Sequence, residues 1–142
     1  MSAMSTYLEN ALASHVLRNT AFTTPGTSIY VGLIKFYETA KLEAGTLTQE
    51  ASGGAYARVQ VTTWDAPSDG ATQNTGAITF PTATADWGNI SGVIVADAAS
   101  AGNVLLHGSL TSTRDVQNGD VFKFNAGDLD ITFAYSPLLI KG

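Results

Sequence analysis

Two aromatic–acid pairs, Trp64-Asp65 and Asp86-Trp87, are the side chains best suited by type to hold a ligand. An indole face stacks on a sugar ring while a neighbouring carboxylate accepts the sugar hydroxyls. The same pairs also serve as loop anchors, since indole buries a large apolar surface and its N–H then needs one acceptor. The residue types admit both readings. In one, Trp64, Asp65, Asp86 and Trp87 meet a glycan or receptor. In the other they pin two loops.

The remaining reactive types point away from catalysis. His15 and His107 are the only histidines, and there is no Cys. A zinc site takes three or four ligands, usually His or Cys, so both histidines would have to converge with a carboxylate. Asp115, Asp120, Asp128 and Asp130 lie in or beside turns, without the alternating acidic loop that wraps calcium. Asp65, Asp69, Asp86 and Asp97 are enough acids for a glycosidase pair, yet none sits in a specific motif. Asp97 and Ser100 lie close in sequence with no histidine tied to them. Neither a nucleophile elbow nor a phosphate loop is present. The expectation is a non-enzyme with no metal and no cofactor.

Charge narrows the partners. The 142 residues carry a formal net charge of −5, and only 13% are charged, against about 25% in an ordinary domain. The seven basic residues are scattered, so no positive footprint for nucleic acid exists. No apolar run is long enough to cross a bilayer. The N-terminus lacks a basic region before an apolar core, which argues against a secretory signal. A polar, weakly charged surface repels its neighbours little and suits dense packing against other subunits.

The elements that must position these residues read as one helix followed by strands. Thr6-Tyr7-Leu8-Glu9 fits a capping box, and Leu8, Ala11, Leu12, His15 and Val16 follow on one face of a helix over 6–19. SIYVGLIK, 28–35, is a strand rich in β-branched residues, with Gly32 marking a close approach, expected from the helix. Residues 36–44 repeat at helical period and stop at Gly45. Strands are expected over 56–62, 76–80, 90–96 and 103–110, with a turn at Gly102-Asn103. The segments 63–75 and 111–119 read as loops, and 121–125 pairs with 129–135. The pattern predicts a mainly β protein: an antiparallel β-sandwich or barrel of about seven strands with one N-terminal α-helix. It divides into a helix and turn (1–25), a β domain (26–135) and an apolar tail (136–142). That tail, SPLLIKG, carries Leu138, Leu139 and Ile140 just after Pro137, and such a segment either folds back or is buried by a partner.

Six stretches in order resemble a family of short tailed-bacteriophage virion proteins, often labelled tail-fibre proteins. They are YLENALASHVLRNTAF (7–22), IYVGL (29–33), GGAYAR (53–58), ITFPTATADWG (78–88), DAASAGNVLLHGSL (97–110) and GDVFKFNAGDLDITF (119–133). Residues 36–49 and the tail are longer than that pattern. The resemblance implies a non-enzymatic structural component located in the virion, fibre-like or an adaptor. It implies a homo-oligomer, with a trimer expected, that contacts other phage virion proteins. Within the same class a capsid decoration protein is the alternative; outside it, a carbohydrate-binding β module. The expected assembly residues are Tyr7, Leu8, Leu12 and Val16 on the helix, with Leu138, Leu139 and Ile140 as a latch.

Overall fold

A computed structural model describes residues 2–133. In chain order these hold β1 (Ser2–Met4), α1 (Thr6–Leu17), β2 (Tyr30–Ile34), α2 (Thr39–Glu43), β3 (Val59–Gln60), β4 (Ala71–Gln73), β5 (Ile78–Thr79), β6 (Gly88–Ala96), β7 (Val104–Val116), β8 (Lys123–Phe124) and β9 (Asp130–Thr132). Five strands form one antiparallel sheet in the order β1-β7-β6-β2-β3. Two short ladders, β4-β9 and β5-β8, stand apart from it. The fold is therefore dominated by antiparallel sheets with a helix at its start, as expected. Among the described residues no sheet closes on itself, so the barrel alternative is not realised.

The central strands are buried on both faces, and their sequences show why. In β6, Val93 and Val95 point to one side while Ile94 and Ala96 point to the other. Register aligns Val31 with Val95 and Leu33 with Val93, so one apolar face is continuous across the strands. That face packs on Ile78, Phe80, Phe122, Phe124, Leu129 and Ile131 from the ladders and their flanks. Phe80 meets Phe122 edge-on at 5.8 Å, and Phe122 meets Phe124 at 5.1 Å. Ile34, Ile94, Ala96 and Val104 line the opposite face, where Leu42 of α2 covers them. Burying that one leucine is worth about 2 kcal/mol, enough to hold a five-residue helix too short to stand alone.

A bulge sits where β6 and β7 shift register, between the pairs Val95↔Leu106 and Ala96↔Val104. The extra residue, Leu105, therefore joins Leu106 in the main core instead of pointing away from it. A larger irregularity follows. Gly92 pairs Ser109 while Ile90 pairs Arg114, so residues 110–113 run past β6 without partners there.

The beginning of α1 differs from the capping box read from the sequence. Ser5, one residue earlier, is the N-cap: its Oγ accepts from Leu8 N at 3.3 Å. The same hydroxyl donates to Val104 O, and Ser5 N donates to Leu105 O at 2.9 Å. Ser5 wins the cap because β1 pairs with β7 and delivers it, buried, against that strand. The helix ends at Leu17, sooner than its periodicity suggests, and Arg18 caps it. The segment after Phe36 does form a short helix, α2, and Gly45 N closes it on Leu42 O.

Three other assignments are corrected. β4 lies inside the stretch read as a loop. The segment 111–116 continues β7, held by its ladder to β6 at residues 114–116 although its own pattern is polar. Strands β8 and β9 do not pair with each other but with β5 and β4, because the 126–128 turn separates two ladders. Ser5→Ala removes both the cap and the bond to β7. It is expected to lower stability by about 1–2 kcal/mol, read as a lower urea midpoint at unchanged slope.

Candidate functional site

Trp87 fills a corner rather than a surface. It is 1% exposed, its Nε1 donates to Gly54 O at 2.9 Å, and its ring meets Tyr56 edge-on at 5.3 Å. Gly54 has φ +53°, and a Cβ there would lie 2.9 Å from Ala85 O and 3.0 Å from Trp87 Nε1. Only glycine allows this approach. Around it, Thr84 N also donates to Gly54 O, Phe80 N to Phe122 O and Gly119 N to Ala83 O. Asp86 Oδ1 accepts from Asn118 N at 2.9 Å. The run from Ile78 to Gly88 is a frame tying three segments together, and the indole face is occupied by the interior.

Trp64 is half-buried and bridges to Asn74. Beside it, Asp65 is half-buried as a residue, and its carboxylate accepts from Thr75 Oγ1 at 2.8 Å and Gln73 Nε2 at 2.9 Å. Those two donors hold its carboxyl below the usual range. This pair remains at the surface. The other acids are also engaged by their own loops. Asp97 accepts from Asn103 N and Nδ2, Asp120 from Gln117 N, and Asp128 from Asn125 N.

The two histidines lie apart in role. His15 is exposed, and its Nδ1 accepts from Phe22 N. His107 is buried; its Nδ1 accepts from Tyr37 Oη at 2.8 Å, leaving Nε2–H to donate to Glu43 Oε1 at 3.2 Å. Burial raises the Tyr37 phenol pKa. Among the described residues no group of three or more His, Asp or Glu side chains is placed to hold a metal, and no helix is long and apolar enough to cross a membrane.

Sequence reasoning missed the strongest polar feature. Glu50 receives Arg58 bidentately, with Nε to Oε1 at 2.7 Å and Nη2 to Oε2 at 2.8 Å. Arg58 Nη1 donates to Ala98 O and Ala101 O, at 2.7 and 3.0 Å. Tyr56 Oη donates to Glu50 Oε1 and accepts from Leu33 N, both at 2.9 Å. The carboxylate bond raises the Arg58 pKa further, while burial, and then the Glu50 charge, push the Tyr56 phenol well above its ordinary value. Gly32 admits the cluster: a Cβ there would sit 3.0 Å from both Glu50 Oε1 and Tyr56 Oη. The close approach expected at Gly32 is thus made by this pair, not by α1. The only sequence signal was an arginine inside an alternating strand in a chain poor in charge.

The helix residues fall on both sides of the surface. Leu8 is buried and Leu12 half-buried, both against the main core. Tyr7 is exposed, Val16 is 72% exposed and its neighbour Leu17 82%. Phe36, Val121 and Phe133 are further exposed large apolar residues. Leu138, Leu139 and Ile140 lie outside the described residues. A cleft of about 400 Å³ with a mixed lining opens between β7 and the β8–β9 region, apolar at Val93, Val95, Leu106 and Leu129 and polar at Asp128 and Asp130. Arg114 stands at its rim with its guanidinium 5.3 Å from the Phe122 ring centroid.

Loop acids held by their own turns and apolar residues left on the surface define a β-rich structural module. Residues 3–132 match the family described as podophage GP4 fiber I protein gp80. The chain belongs to that family and is a structural protein of a phage particle, located in the virion. No curated protein matches it.

Removing one partner of the buried Glu50–Arg58 pair leaves an uncompensated charge. Arg58→Met is expected to cost about 3–5 kcal/mol, and Glu50→Leu/Arg58→Met to recover much of that. Denaturant midpoints of the two single variants and the double variant measure the coupling.

Proposed function

We propose that this chain is a fibre-side module that assembles through apolar contacts and catalyses no reaction. The observation that carries the reading is the state of α1. Its first turn is locked to β7 through Ser5, while Val16 and Leu17 at its far end stay in solvent. A helix fixed at one end and apolar at the other is built to dock on something else. Tyr7, Leu8, Leu12 and Val16 form this arm, with Leu8 on the inner side, and Leu138, Leu139 and Ile140 supply a latch to a neighbour. A closed homo-oligomer, a trimer, gives each copy one donor and one acceptor surface. Other virion proteins occupy the remaining face. The helix segment 1–25 and the tail 136–142 are thus the contact parts, and the stacked sheets of 26–135, a sandwich in outline, are the body.

Non-catalysis is supported by where the acids lie. Asp65, Asp86 and Asp97 each accept hydrogen bonds from their own or neighbouring loops, so they act as loop clasps rather than as an acid–base pair. Leu139→Asp is expected to weaken self-association at least tenfold while far-ultraviolet circular dichroism stays unchanged. Native mass measurement across a dilution series reads this, and unchanged association removes the latch. Counting copies per particle separates a fibre module from capsid decoration, which needs a number matched to the head lattice.

One observation favours a second role. Trp64 is only half-buried beside the exposed Asp65 carboxylate, a pair suited to a host surface glycan. On a glycan array, Trp64→Ala is expected to abolish any signal the native protein gives. A native protein that binds no glycan ends this reading.

A further inference from the structure

We infer that the cleft beside β7 is the acceptor for the C-terminal apolar segment of a second copy of this chain, taken in as an added strand. This rests on the assembly role proposed above and names the surface that the latch enters.

The cleft has the form of a missing strand. β1 covers β7 only from Leu106 to Gly108, and β6 has no partners for residues 110–113. Among the described residues, Leu110, Thr111 and Ser112 border the cleft and have no register partner in β1 or β6. Across from them lie Leu129, Asp130 and Ile131, and β9 pairs with β4 on its other side. An extended segment of three residues spans roughly 10 Å. Its floor is apolar, from Val93, Val95 and Leu106, so it selects apolar side chains.

The segment 138–140 has that character. Leu138-Leu139-Ile140 is followed by Lys141, and the cleft carries two acids, Asp128 and Asp130, against the one arginine, Arg114, whose guanidinium lies over Phe122. The sequence between β9 and the triplet favours a neighbour's cleft over its own. Residues 134–137, Ala-Tyr-Ser-Pro, hold no Gly or Asn to supply the positive φ of a two-residue hairpin turn, so return to the chain's own cleft requires a longer loop. A residue before proline, here Ser136, is biased to extended backbone. Leu138 lies five residues beyond Phe133, a reach of at most roughly 17 Å. Donor and acceptor must already be in contact, as adjacent copies in a ring are.

A chain without cysteine allows a clean test. The full-length double variant Ser112→Cys/Leu139→Cys places one thiol at the exposed cleft edge and one in the segment. Mild oxidation is expected to give disulfide-linked dimers and larger species as the main product on a non-reducing gel. Each single variant is expected to give only a minor dimer. A monomer cross-linked within itself overturns the inference in favour of self-closure, and no cross-link overturns the cleft as acceptor. Loss of the fibre reading would appear separately, as absence of the protein from purified particles whatever the gel shows.

Discussion

The chain outside the central sheet is organised by one ion pair, Glu50 with Arg58. Taking two charges out of water costs several kcal/mol each and is tolerable only when every lone pair and proton finds a partner. Here it is met for four of the five guanidinium N–H groups and for both carboxylate oxygens. Arg58 gives two bonds to the carboxylate and two to the carbonyls of Ala98 and Ala101, and Tyr56 completes Glu50. The pair fixes three things at once: the return of the chain after α2, the edge strand β3, and the turn joining β6 to β7. No apolar cluster does this, because apolar contacts carry little direction. A guanidinium fork does.

From that clamp the rest follows outward. The turn at 53–55 has positive φ at Gly53, Gly54 and Ala55, which brings Tyr56 over Gly32 and under Trp87. Trp87 then closes the end of the main core, and its N–H is answered by the carbonyl of the same Gly54. The functional reading of the opening aromatic–acid pairs thus divides on packing alone. One indole lies at the junction of three backbone segments and belongs to the interior; the other lies on a two-strand edge and keeps part of its surface.

How much of this was legible depends on whether the signal is periodic or relational. α1, β2, β6 and the first half of β7 announce themselves through apolar period and β-branching, and α2 through a four-residue repeat ended by Gly45. Those are local properties. The polar half of β7 is a strand because β6 lies beside it, which no window of its own sequence reports. The same holds for β4, read as loop; β5, β8 and β9 fall within stretches read as strands, but their partners, far away in sequence, were not legible. Ser5 outcompeted Thr6 as the cap because β1 delivers it to Val104 O, a contact between residues 99 apart. The exposed state of Val16 was invisible for a related reason. Helical period says which residues share a face, and not where along the helix the sheet ends beneath it.

The scarcity of charge bears on what the surface is for. Charged side chains mark sheet edges that proteins keep from pairing, and here few are present to do so. Residues 110–113 of β7, Leu-Thr-Ser-Thr, have no charge until Arg114, whose guanidinium is drawn over Phe122 rather than along the strand. An edge left this open is an aggregation hazard in a solitary protein. In the assembly proposed above, where a neighbouring copy covers it, the same edge is the attachment point. What remains polar around the edge, chiefly Thr and Ser, can be covered at small cost only where each hydroxyl finds a hydrogen-bond partner.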